Sequence, residues 1–186
     1  MDEKMKLYMT MIGCKPLGRT TEQHDIFFGI ATSMKNLIPQ IKSFWPEAKG
    51  KMHVDAWREV NVVDGFQISV VKRNEMVKNH NQLFFINLGG YKPGEFDEFH
   101  YKLITVATTL AEAITKSKST AFYKHCGFAG AVSHIDDKYA IDVDDIYKVT
   151  DLFSEDFKTK FQIEITPNVD LPEDQLNIGY FKLSSL

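Results

Sequence analysis

The chain has 186 residues, 44% of them hydrophobic, which is material for one ordinary domain or two small ones. A formal net charge of −3 excludes generic phosphate-backbone binding, which needs a basic face, so no nucleic-acid partner is expected. No apolar run approaches the ~20 residues of a membrane span, and Met1-Asp2-Glu3-Lys4-Met5-Lys6 is followed by no signal-peptide core, which excludes a membrane role. Cys14 and Cys126 are the two cysteines, far apart and not at metal-type spacing, as suits a reducing, cytoplasmic setting.

Lys6 to Ile12 is short, apolar and aromatic-rich, and reads as a strand stopping at Gly13. Cys14 to Gln23 is a polar loop broken by Pro16 and Gly18. His24 to Ala31 is ambiguous, but adjacent Phe residues and an interior Gly favour a strand. Thr32-Ser33 supplies an N-cap for a helix carrying Leu37, Ile38, Ile41, Phe44 and Trp45. Pro39 either kinks that helix or sits in its first turn behind Asn36, and Pro46 ends it. Lys51 to Val60 and Phe66 to Val71 are strands, and Asp64-Gly65 between them is a favoured hairpin pair because Gly tolerates positive φ.

After a polar linker, Asn74 to Asn81, the series starts again with strands at Gln82 to Leu88 and Tyr101 to Ala107. Thr109 with Glu112 forms a capping-box pair opening a helix. Val132 to Ile141 and Ile146 to Phe153 are expected as a second hairpin. Lys160 to Thr166 and Asn177 to Leu183 are further strands without counterpart in the first half, and such a segment covers an edge or binds two units together.

Internal repetition is the strongest signal. Gly13, Gly18, Glu22 and His24 recur as Gly89, Gly94, Glu98 and His100. His53, Asp55, Val62, Asp64 and Phe66 match His134, Asp136, Val143, Asp145 and Tyr147. The expectation is therefore an α+β protein: a tandem pair of ββαββ units over residues 5–73 and 82–153, with a C-terminal strand segment over 154–186.

Several of these residues also carry a family likeness: the strand ending Ile12-Gly13, Thr21-Glu22-Gln23-His24-Asp25, Phe44-Trp45, His53-Val54-Asp55-Ala56-Trp57 and Val63-Asp64-Gly65-Phe66. On them the chain resembles a bacterial family, domain of unknown function 1543. The resemblance implies a small cytosolic protein made of two copies of one unit, and no activity. The ββαββ layout is also similar to the β-grasp fold, a likeness that carries no function.

On a strand, His53, Asp55 and Trp57 share one face, and so do His134 and Asp136. The functional reading is a metal-ligand pair or an Asp-oriented general base. The structural reading is a hydrogen-bonded pair sealing one repeat against the other, and it is the simpler account of a feature present in both halves. Glu22 and His24, like Glu98 and His100, also alternate onto one face. Joined to His53 and Asp55 they would make a two-His, two-carboxylate cage. Grasp-like strand order opposes this, setting the second and third strands roughly 14 Å apart at ~4.8 Å per strand. Only a cross-repeat arrangement would then gather the donors.

Other motifs are weaker. Gly13 to Thr21 lacks the Gly-Lys-Ser/Thr phosphate signature and reads as a plain hairpin loop. Tyr147 stands where a calcium loop built on Asp136, Asp137, Asp142, Asp144 and Asp145 would need Gly. Cys126 beside His125 has no orienting partner in view. The function expected is a non-catalytic binding or interaction module presenting His53, Asp55, Trp57, His134 and Asp136 on an open sheet face. Its partner would be another protein or a second copy of the chain, and no organic cofactor is called for. The alternative is a metal-dependent or His–Asp acid/base enzyme, hydrolase-like, with Glu22, His24, Glu98 and His100 completing a divalent-metal site between the repeats.

Overall fold

The computed structural model describes residues 4–74, 80–91, 94–119 and 141–186. Two compact units emerge. One comprises Met1–Val77 with Phe153–Leu186, and the other Lys78–Leu152. Most strand pairings are antiparallel and the helices are short, so the chain is α+β.

In the first unit β1 (Lys6–Cys14) is a central strand. Its neighbours are β2 (Gln23–Ala31) and β3 (Met52–Glu59), and the sheet runs β10-β3-β1-β2 once β10 (Asn177–Lys182) has joined the free edge of β3. The loop from β1 to β2 is a plain connection, turning on a backbone bond from Arg19 N–H to the Pro16 carbonyl. Helix α1 (Met34–Phe44) follows β2. Its cap is Ser33, whose hydroxyl accepts from the Asn36 N–H at 3.3 Å, and Pro39 lies inside the helix. Met34, Leu37 and Ile41 pack on Tyr8, Ile12, Cys14, Phe27 and Val54, so the helix covers one face of the sheet.

The strand order corrects the grasp-like expectation. β3 is paired along both edges, by β1 and β10, and has no edge left for the strand that follows it. The Asp64-Gly65 turn, with φ of 52° and 76°, closes only a two-residue strand, β4 (Val62–Val63), onto β5 (Phe66–Lys72). β5 then pairs along its length with β9 (Phe161–Pro167) in a separate three-stranded sheet. A short helix, α3 (Glu155–Lys160), capped by Ser154, precedes β9 and was not apparent in the sequence. Asp174 ties the C-terminal segment down. Its side chain, 3% exposed, accepts from the N–H groups of Asn61 and Val62 and lies 3.7 Å from Arg58.

In the second unit β6 (Gln82–Tyr91) lies between β7 (Glu98–Ala107) and β8 (Ile141–Lys148). Helix α2 (Leu110–Lys118) follows β7. Thr109 accepts from the Glu112 N–H, while Glu112 reaches back to the N–H and hydroxyl of Thr108, one residue further than the usual box. Leu88, Ala107 and Ala113 are in the core. The expected turn near Asp142–Asp145 is instead continuous strand on β6. Val132 to Ala140, the other half of the expected hairpin, lies outside the described residues.

Pairing register shows how strands β2, β1 and β3 of the four-stranded sheet correspond to β7, β6 and β8 of the second unit. β1 pairs β3 with a bulge at Asp55, between the pairs Met11–Ala56 and Ile12–Val54. β6 pairs β8 with a bulge at Asp144, between Asn87–Asp145 and Leu88–Val143. Gly13 faces His53, and Gly89 faces Asp142. The positions of His53 and Asp55 thus belong to Asp142 and Asp144, not to His134 and Asp136, which lie outside the described residues.

Candidate functional site

Three residues form a row across the first sheet: His24 on β2, Gly13 on β1 and His53 on β3 are mutual register partners. Paired residues project to the same face. Gly13 in the middle has no side chain, so the two imidazoles lean over it from either side. A Cβ on Gly13 would lie 2.5 Å from Asp55 Oδ2 and 2.8 Å from His53 Cε1, with His53 Nε2 closer still. The strands carrying the histidines are two spacings apart, roughly 10 Å, which two facing side chains span. The grasp-like order that set them roughly 14 Å apart is not the one present.

The bulge places the carboxylate. Asp55 is the extra residue and has no partner on β1, and a bulge re-aims the side chain it carries. His53 Nε2 lies 3.1 Å from Asp55 Oδ1 and 3.3 Å from Glu22 Oε1. His24 Nε2 lies 3.3 Å from Asp55 Oδ2 and 3.9 Å from Glu22 Oε2. Glu22, His24, His53 and Asp55 therefore converge within one unit. The same bulge breaks the alternation of β3: Trp57 packs with Val54 on the core side, against Tyr8 with ring centroids 6.2 Å apart. Trp57 is no part of the cluster.

Burial grades across the site. His53 is only 6% exposed, its ring stacked on Tyr180 of β10 at 4.1 Å, while the side chains of His24 and Glu22 are 40% and 45% exposed. Despite the short separations, His53 Nε2 and Asp55 Oδ2 are buried and make no hydrogen bond. Leaving such atoms unsatisfied costs about 1–3 kcal/mol each. Cys14 is the neighbour of Gly13 but faces the helix, and burial, with the charge of Glu22 adding, pushes its thiol up so that it stays neutral.

The second sheet repeats the row as His100, Gly89 and Asp142. His100 Nε2 lies 3.3 Å from Asp144 Oδ2 and 3.9 Å from Glu98 Oε2, and these three donors lie within 4.8 Å of one another. Glu98 and His100 thus meet a carboxylate of their own unit. Cys126 and His125 lie outside the described residues. Sequence reading weighed Asp144 only within a calcium-type acidic run and missed it as the partner of His100, and it missed Gly13 and Gly89 as the clearances beneath. The recurrence of the two glycines in step with Glu-x-His was the available signal.

Residues 19–70 match the family described as Domain of Unknown Function (DUF1543), a span that includes all four donors of the first cluster. No curated protein matches the chain. Among solved structures, the crystal structure of a protein Il1583 from Idiomarina loihiensis is similar over 96% of this chain and 97% of its own, with a TM-score of 0.57 and 20% identity. That likeness is one of fold. Among the described residues, no helix is long and apolar enough to cross a membrane.

Proposed function

Starting from a segment that matches the DUF1543 family, we propose that the first unit is a binding module for one divalent transition-metal ion, held by Glu22, His24, His53 and Asp55. The observation that carries this is the spacing of the donors. A tetrahedral ion with ligands at about 2.0–2.2 Å sets its donors about 3.3–3.6 Å apart. Each carboxylate reaches both imidazoles, Asp55 with Oδ1 toward His53 and Oδ2 toward His24 and Glu22 with Oε1 toward His53 and Oε2 toward His24, at 3.1 to 3.9 Å. Hydrogen-bonded pairs would be shorter and in line, about 2.7–2.9 Å. Ion coordination also satisfies the buried Nε2 of His53 and Oδ2 of Asp55, which make no hydrogen bond in the protein. Two imidazoles with two carboxylates suit zinc, iron or manganese rather than calcium.

Four side-chain donors are a full tetrahedral complement, which is the closed arrangement of structural sites, whereas catalytic zinc keeps a position for water. This supports a non-catalytic module over a hydrolase. The shared register of the two sheets supports descent of both units from one repeated segment. A free, buried Cys14 suits a reducing cytoplasm. The test is metal analysis of tag-free protein equilibrated with zinc, against His53→Ala and Asp55→Asn variants. Near-stoichiometric tight binding that both substitutions abolish is expected. A wild-type protein that takes up no ion, while His53→Ala merely melts earlier, would leave the histidine–carboxylate pair as architecture alone.

A further inference from the structure

The second unit carries the same scaffold with a different donor set, and we propose that Glu98, His100 and Asp144 form a second, separate cation site of harder character. It would take manganese or magnesium in a largely hydrated state and hold zinc less tightly than the first. The argument begins with register. Position for position along the backbone, the row His24–Gly13–His53 becomes His100–Gly89–Asp142. The bulge that aims Asp55 recurs at Asp144. A Cβ on Gly89 would lie 2.7 Å from Asp144 Oδ1 and closer still to Oδ2, so the clearance beneath the donors is preserved too.

The imidazole–carboxylate distances of 3.3 and 3.9 Å repeat those between His24 and its two carboxylates. A second observation points the same way. Asn87 lies two residues before Gly89 and therefore on the same face of β6, and its buried side-chain oxygen makes no hydrogen bond. Its amide nitrogen is 3.5 Å from Asp145, which fixes the oxygen as the atom without a partner. Among the described residues the donors are one imidazole and carboxylate oxygens, a set that favours hard ions, since carboxylate, carbonyl and water suit magnesium and manganese while added imidazole suits zinc and iron. The side chains of Glu98, His100 and Asp144 are 38%, 36% and 27% exposed, leaving room for the waters such ions retain.

The test is manganese binding to the tag-free full chain, followed by equilibrium dialysis and by the electron paramagnetic resonance signal of the free ion. Wild type is expected to saturate near two equivalents, Asp144→Asn near one, and His53→Ala near one. Zinc should displace manganese from the first site at a concentration at least roughly 10-fold lower than from the second. His100→Gln serves as an independent variant should Asp144→Asn fail to fold, with circular dichroism as the check. Saturation at one equivalent that His53→Ala abolishes would overturn this inference and leave the first site standing. Two equivalents untouched by both Asp144→Asn and His100→Gln would overturn it as well. One equivalent lost with Asp144→Asn but not with His53→Ala would uphold it and remove the first.

Discussion

Replacing Gly13 with Ala is the sharpest probe of the arrangement over β1. The backbone at Gly13 does not sit at positive φ, so the substitution brings no conformational strain of its own. In an ordinary strand it would even help by about 0.5–1 kcal/mol, because Gly costs more chain entropy to order. Here the new methyl group would arrive 2.5 Å from Asp55 Oδ2 and 2.8 Å from His53 Cε1. His53 is pinned between that position and Tyr180 and has little room to yield. Overpacking of this kind costs about 1–3 kcal/mol, which exceeds the entropic gain. At about 2 kcal/mol the melting temperature should fall by roughly 4–8 °C for a chain of this size. Zinc uptake should be lost along with it, because the two imidazoles can no longer meet. Thermal melting and metal analysis of Gly13→Ala beside wild type decide the matter. A variant that melts at or above wild type and still binds its ion would refute the reasoning. Gly89→Ala should cost less, because the new methyl group would meet the end of an Asp144 side chain 27% exposed rather than an imidazole held under Tyr180.

Other expectations follow from the same contacts. Asp174→Ala should destabilise the first unit by about 2 kcal/mol, read as a lower denaturant midpoint, since half-buried Arg58 loses its carboxylate and two N–H groups lose their acceptor. Ser33→Ala removes the hydroxyl that caps α1 and should cost about 1 kcal/mol in the same assay. The bonds from Thr108 hold the Glu112 carboxyl well below its usual range, at about 2. A depressed folded value means that this group favours the folded state above pH 4.5, its ordinary value, and that the contribution disappears as pH falls to about 2. The stability gap between wild type and Glu112→Gln should therefore be constant near neutrality and close on acidification through that window, and a gap that widens there would contradict it.

How far the chain could be read in advance depended on whether a feature is local. β1, β2, the Ser33 cap and the Thr109–Glu112 pair are written in neighbouring residues, and they stand where periodicity and capping chemistry put them. Sheet order is not local. Nothing in the spacing of Phe66 to Val71 says that Phe161–Pro167, nearly a hundred residues on, will claim that strand. The bulges were hidden for a related reason. Strict alternation put Trp57 beside His53 and Asp55, but one unpaired residue on β3 reverses which face every later side chain takes. In the second unit the same blindness drew Val143, Asp145 and Tyr147 into line with Val62, Asp64 and Phe66, when pairing with β6 gives them the register positions that Val54, Ala56 and Arg58 hold on β3. The site itself was half legible. Glu22, His24, His53 and Asp55 were recognised as donor types, and the central glycine that lets them touch looked like the end of a strand.

The pairing of β10 with β3 has a consequence for how the molecule is made. Asn177 bonds to the carbonyl of Trp57 across 120 positions of chain, and the whole second unit is synthesised in the interval. Until then β3 offers a bare row of backbone donors and acceptors to the cell, a template for the wrong strand. A nascent chain is thus exposed to mispairing for seconds at ordinary translation rates of roughly 5–20 residues per second. Tyr180 arrives on that same strand, so the ring that shelters His53 is fitted only after the second unit has been made.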